Sequence, residues 1–286
     1  MTILVTGAGG GFGTALLSPL RAHYNETVIG AGRSHAVDSG YIRCDFTKAT
    51  AVRELIKSVR PRLIFHLVGS FTGEFETDLQ VNAVSAKHLF ENIISEHLNT
   101  RVVIFGSAAE YGAVLPSDNP ISETFPCRPV SIYGLTKAIQ TDIARFYART
   151  KNIDVVVARV FNLAASGLSS RLFYGRAEAM ILSYRKGEIS QLEFGNLDSE
   201  RDYIALDDAL DQLLAVAEFG LSGEIYNIAN GYPRKIRLIL ADMLEKEGLR
   251  EVEIVESTPE VISEKGYDVS IIYANTTKVS KLMGLM

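Results

Sequence analysis

The chain has 286 residues, 47% apolar and 22% charged, with a formal net charge of −5. That length fits one large α/β domain or a large domain with a smaller lobe, because single cores stop growing near ~250–300 residues. The acidic balance speaks against a general nucleic-acid or anionic-membrane binder, and no apolar run approaches the ~20 residues that span a bilayer, so a cytoplasmic location is expected.

"TILVTG" opens the chain as a strand and is followed by a helix from about Gly11. Strands in "ETVIGAG" and "YIRCDF", a helix around 48–59, "RLIFHLVG", a helix around 78–97 and "RVVIFGS" come next. Short β-branched runs alternating with helical patterns predict a parallel sheet covered on both faces. A helix over about 131–150 and the strand "IDVVVARVFN" continue it. Beyond Asn162 the alternation fades, leaving "FGNLDSERDY" and "GEIYNIANG" as short strands among helices at about 173–186, 206–219 and 235–247. The expected architecture is a Rossmann-type doubly wound parallel sheet over 1–162. A smaller C-terminal α/β substrate lobe covers 163–286, with later segments returning to the large domain. Cys44 and Cys127 lack metal-ligand spacing and read as reduced structural thiols, and the five histidines are scattered, so no metal centre is expected.

"VTGAGGGFG" follows the first strand directly and sets Gly7, Gly10 and Gly13 in the spacing G-x-x-G-x-x-G. Glycines there permit a tight turn and close approach to a pyrophosphate, while the helix N-terminus faces the anion. Gly11 and Phe12 complete this cofactor turn. At the end of the second strand, where an NAD-specific site offers a carboxylate to the ribose, stand Gly32, Arg33 and Ser34. An arginine and a hydroxyl suit a 2′-phosphate, which favours NADP(H) and leaves NAD(H) open. Asp45 and Phe46 fall where they could meet the adenine, and Leu67, Val68 and Gly69 border the nicotinamide half.

"SIYGLTKA" places Tyr133 and Lys137 four apart on one helix face. A phenol of pKa about 10 is a poor acid-base group near neutrality, but a nearby ammonium and an oxidised nicotinamide favour its phenolate. Upstream, Ser107 ends the strand "RVVIFGS". A serine there is ordinarily a turn or capping residue; with a dinucleotide turn before it and Tyr133 and Lys137 after it, it becomes a candidate for holding a carbonyl.

With these residues in place, the chain resembles an extended short-chain dehydrogenase/reductase of the nucleotide-sugar epimerase, dehydratase and reductase group. The resemblance rests on "TGAGGGFG", "DFT" at 45–47, "HLVG" at 66–69, Asn82 in "VNAVSAKHLFE", "GSAAEYG", "YGLTK", "ARVFN" at 158–162, "RDYIALDDA" at 201–209 and "GEIYNIANG" at 223–231. It implies that Ser107 hydrogen-bonds the substrate oxygen, that Tyr133 is the acid-base and that Lys137 is its partner on the nicotinamide ribose. It also implies that Asn82 and Val160 lie beside the cofactor, and that Asn162 and Arg201 contact a nucleotide diphosphate. Relatives pair into homodimers through the helices around 78–97 and 131–150.

The resemblance also narrows the reaction. Sugar 4,6-dehydratases carry an Asp-Glu pair directly after the catalytic hydroxyl, and here Ala108 and Ala109 occupy those positions. Epimerising reductases carry a cysteine there and a distant histidine, and this chain has no histidine beyond His97. Net reduction of a 4-keto sugar and C4 epimerisation remain, since both need only Ser107, Tyr133, Lys137 and a nicotinamide. NADPH preference and wording similar to reductases of nucleotide 4-keto-6-deoxysugars favour reduction. An NAD-dependent nucleotide-sugar 4-epimerase is the alternative, and a non-catalytic cofactor-binding protein is the reading from another class. Glu110 is a candidate substrate contact or a structural carboxylate. The family's "NxxGP" reads "NLAASG" at 162–167, and its C-terminal substrate arginine has no match in "TPEVISEKGYD", so Ser170, Arg171 or Lys265 are candidates to replace those contacts.

Overall fold

A computed structural model describes residues 1–33, 40–249, 251–256 and 269–286. β1 (Thr2–Thr6) runs through the glycine turn into α1 (Gly11–His23), and then come β2 (Thr27–Gly32), β3 (Tyr41–Arg43), α2 (Ala49–Val59) and β4 (Leu63–His66). The chain continues through α3 (Phe75–Asp78), one π turn (Leu79–Val84), α4 (Ser85–Ser95), β5 (Arg101–Ser107), α5 (Ile132–Lys151) and β6 (Val155–Val160). Next are β7 (Asn162–Ala164), α6 (Phe173–Arg185), β8 (Leu192–Phe194), β9 (Glu200–Ala205), α7 (Leu206–Phe219) and β10 (Ile225–Ile228). β11 (Pro233–Lys235), α8 (Ile236–Lys246), β12 (Ile254–Glu256), β13 (Ile271–Ile272) and α9 (Thr277–Met283) complete the elements.

Seven strands form one parallel sheet in the order β10-β6-β5-β4-β1-β2-β3. Runs such as "LIFH" and "VVVARV" are buried along nearly their whole length because helices cover both faces of the sheet, and only His66 and Arg159 break their apolar character. On one face, Leu16, Leu17 and Leu20 of α1 join Leu213 and Val216 of α7 over the sheet. On the other, Leu55 and Ile56 of α2, Leu89 and Phe90 of α4 and Ala144 of α5 do the same. Strand order reverses between β1 and β4, and the crevice beyond their carboxyl ends is where such sheets bind ligands.

The chain after 162 serves two bodies. β10 pairs with β6 (Ile225 opposite Val157), and α7 and Val279 of α9 pack into the main core. In the small lobe, α6, α8, β8 and β9 close a separate cluster around Ile181, Phe194, Tyr203 and Leu240. The single helix expected over 78–97 is instead divided into α3, the π turn and α4. Asp78 accepts bonds from the N–H groups of Thr72 and Gly73, and the wider turn carries Asn82 to the preceding loop.

Candidate active site

Gly7 has φ +71, and a Cβ there would stand 2.7 Å from the Leu67 carbonyl carbon. Only glycine lets the turn lie against the exit of β4, which brings residues 7–13 beside Leu67, Val68 and Gly69. Gly10 caps α1, Gly11 begins it, Gly13 is buried within it, and no acidic residue occupies its first turn. Phe12 packs edge-on to Phe105, with ring centroids 5.4 Å apart. A tight turn bare of side chains, opening on a helix N-terminus, fits a dinucleotide pyrophosphate.

Arg33 is exposed just past β2, while Ser34 and Lys265 lie outside the described residues. Burial opposes ionisation of Asp45, but hydrogen bonds from Thr47 and the nearby charges of Arg33 and Lys48 outweigh it and hold the carboxyl below its ordinary value. Phe46, 3% exposed, packs its ring edge-on to His66 in the core. His66 is fully buried, and burial with the nearby Lys137 charge lowers its pKa to about 3. The Ser85 hydroxyl proton goes to the Val81 carbonyl, so His66 Nε2–H donates to Ser85 and Nδ1 accepts from Thr6. A neutral imidazole therefore sits below the site.

Ser107 ends β5 opposite Val160 of β6. Its Oγ accepts from Ala109 N–H at 3.2 Å, and its own N–H donates to Glu110 Oε1 at 2.7 Å, closing a capping box on the 3₁₀ turn at 108–110. The serine is thus a cap and retains its hydroxyl proton and one lone pair. Glu110 corrects the expected substrate contact. It is fully buried, and its Oε2 receives Thr141 Oγ1–H at 2.9 Å and Arg159 Nε–H and Nη2–H at 3.0 and 2.7 Å. Both oxygens are engaged, so the carboxylate props the serine turn from behind.

Ser131 caps α5 by accepting Gly134 N–H. A Cβ on Gly134 would stand 2.4 Å from the Ala109 carbonyl oxygen, so glycine lets the start of α5 rest directly on the serine turn. That contact brings Tyr133 to Ser107. Burial, reinforced by the charges of Glu110 and Asp78, pushes the phenol above its ordinary pKa, against a hydrogen bond with Ser107 that lowers it. Lys137 Nζ donates to the Phe105 carbonyl and to Gln140 Oε1 rather than to Tyr133. Its desolvation lowers the ammonium pKa to about 8, while Glu110 acts in the opposite sense. The phenol is therefore protonated, the state that can give a proton to a carbonyl oxygen.

Asn82 is engaged within the protein. Its amide accepts from Ser70 N–H and donates to the Ser70 carbonyl and Thr136 Oγ1, and the side chain is wholly buried. It fastens the loop after β4 to α5. Asn162 donates to the Asp202 carbonyl at 3.1 Å and so ties β7 to β9. Arg201, half-buried on β9, donates from Nη1 to the Glu200 carbonyl. Arg171, on the exposed loop before α6, reaches across to the Phe71 carbonyl.

Two residues escaped the sequence reading. Phe71 is 46% exposed and stacks edge-on against Tyr133 at 5.1 Å; its only signal was an aromatic in the loop directly after β4. Gln140 is buried, holds Lys137 and has no partner for its own Nε2 among the described residues. It stands three residues beyond the lysine on the buried helix face, a position that reads equally well as core.

The glycine turn and the parallel sheet with helices on both faces define a dinucleotide-binding α/β fold. Residues 3–229 match the NAD dependent epimerase/dehydratase family, and the chain belongs to it. It is 26% identical over 202 residues to a GDP-6-deoxy-D-mannose reductase of Pseudomonas aeruginosa, spanning 68% of this chain and 66% of that enzyme. It is also 26% identical over 261 residues to a GDP-6-deoxy-D-talose 4-dehydrogenase of Aggregatibacter actinomycetemcomitans, spanning 90% and 83%. Among solved structures, RMD from Pseudomonas aeruginosa complexed with NADPH superposes with a TM-score of 0.85 at 22% identity, over 99% of this chain and 92% of that one. No helix among the described residues is long and apolar enough to cross a membrane.

Proposed function

We propose that the chain reduces the 4-keto group of a nucleotide-activated 4-keto-6-deoxyhexose with NADPH. One observation carries the reading. The serine turn offers Ala108 and Ala109 where elimination chemistry needs an acid and a base, and its only carboxylate, Glu110, is spent on Arg159 and Ser107. What remains beside the serine is a single phenol, enough for one proton at one carbonyl oxygen. Relatives named as a reductase and a 4-dehydrogenase support it, since these are the two directions of one hydride step.

The residues divide the work. Ser107 and Tyr133 hold the C4 oxygen, the serine turning to it the proton it otherwise shares with the phenol. Tyr133, kept protonated by burial, gives its proton to that oxygen. Lys137 places its positive charge behind the phenol and stabilises the phenolate left behind. Gly7, Gly10, Gly11 and Gly13 with the α1 N-terminus would take the pyrophosphate, and Arg33 a 2′-phosphate; the nicotinamide, when bound, supplies the hydride. Asn162, Arg171 and Arg201 are the proposed contacts to the nucleotide of the substrate. Exposed Ile94 on α4 and Leu135 and Phe146 on α5 support a homodimer through these helices.

Lys137 loses its charge as pH rises through about 8. A pH profile of kcat/KM is therefore expected to hold below that value and fall above it. In Lys137→Arg, whose guanidinium does not titrate in this range, the residual activity should lose the alkaline limb. A limb that stays in place would assign it to another group.

A panel of nucleotide 4-keto-6-deoxysugars with NADPH tests the activity. Stoichiometric NADPH oxidation with one of them is expected. Tightly bound NAD with C4 inversion and no net oxidation would establish the epimerase instead, and binding without turnover would leave a cofactor-binding protein.

A further inference from the structure

We propose that the Tyr41 hydroxyl is a direct ligand of the adenosine ribose 2′-substituent and helps select the 2′-phosphate of NADP(H). The proposal rests on the cofactor reading above and is independent of the sugar.

Tyr41 opens β3 opposite Gly30 of β2. Gly30 and Gly32 alternate along β2 and so face the same side. A Cβ on Gly30 would stand 3.1 Å from Tyr41 Cδ2, and one on Gly32 only 2.4 Å from Tyr41 Oη and 3.7 Å from Gly9 N. One phenol ring therefore lies across two missing side chains, with its hydroxyl next to the cofactor turn. It occupies the volume that a side chain at the end of β2 would fill. That is where an NAD site offers its carboxylate to the ribose.

The hydroxyl is buried and has no hydrogen-bond partner among the described residues. Native proteins rarely leave such a group unsatisfied, so a bound molecule is the expected source of the partner. Burial also raises the phenol pKa, which keeps it a donor. Polarity then decides the ligand. A carboxylate accepts from ribose hydroxyls and repels a phosphate, whereas a neutral donor meets phosphate oxygens that only accept. Arg33, exposed one residue beyond Gly32, supplies the charge.

Tyr41→Phe retains the ring and removes only the hydroxyl. Calorimetric titration with adenosine 2′,5′-bisphosphate and with 5′-AMP, and with NADPH and NADH, reads binding without any turnover. The variant is expected to weaken the two 2′-phosphorylated ligands by about tenfold or more and the other two by no more than about twofold. Gly32→Ala, which forces a methyl into the hydroxyl while keeping it in the chain, should impair the same two ligands. Unchanged affinity in either variant, or equal loss for all four ligands, overturns the proposal. A wild-type protein that shows no preference for the 2′-phosphate overturns the NADPH reading and this proposal together. Failure of the sugar panel alone leaves the binding ratios, and the proposal, intact.

Discussion

Tyr133→Phe is expected to lower kcat by about 10²–10⁴-fold while cofactor affinity stays within about twofold of the wild type. The size follows from the chemistry. Only the hydroxyl is removed, and the ring that packs edge-on to Phe71 is kept, so the fold and the loop after β4 remain in place. Ser107 still donates one hydrogen bond, which leaves some polarisation of the carbonyl but no proton to complete the reduction. Single-turnover assays with saturating cofactor, paired with a direct titration of cofactor affinity, separate the two quantities. Retention of full activity would remove Tyr133 from the chemistry and with it the proposed reaction.

Glu110→Gln is expected to destabilise the protein by about 3–5 kcal/mol, because it leaves the buried Arg159 charge without its counter-ion. Both side chains are at most 2% exposed, and the Arg159 guanidinium also lies over the Tyr111 ring at 4.4 Å. The double variant Glu110→Leu/Arg159→Met should be markedly less destabilised than the single one, since an apolar pair leaves no naked charge. Urea denaturation of the wild type, the single and the double variant gives all three stabilities. Because Glu110 also receives the Ser107 N–H, the single variant should lose kcat more than it raises KM. A stability loss below about 1 kcal/mol would show that the pair is not structural.

Local regularities were legible in the sequence. The glycine turn, the helix over 132–151 and the four-residue spacing of Tyr133 and Lys137 each follow from a few neighbouring residues, and the structure places them as read. Glu110 and Arg159 could not be matched in the same way. They are 49 residues apart and meet because Gly106 and Arg159 are cross-strand neighbours in the β5–β6 register, which periodicity does not report. Phe46 and Asn82 were assigned to the cofactor because their motifs border it; the burial of their side chains is set by packing partners such as His66 and Thr136. A return of later segments to the large domain was expected, but not that β10 is the segment that does so. Its four-residue run carries no mark of which sheet it joins.

The meeting of Gly134 with the Ala109 carbonyl has a consequence for how such an enzyme could be re-engineered. The two hydroxyl-bearing residues are mounted on a junction of main chain against main chain, so their separation does not depend on the identity of any side chain near the sugar. Asn162 and Arg201, proposed to meet the nucleotide, could be exchanged to admit a different one while that spacing is kept. Substituting position 134 itself, even by alanine, would wedge the mount apart.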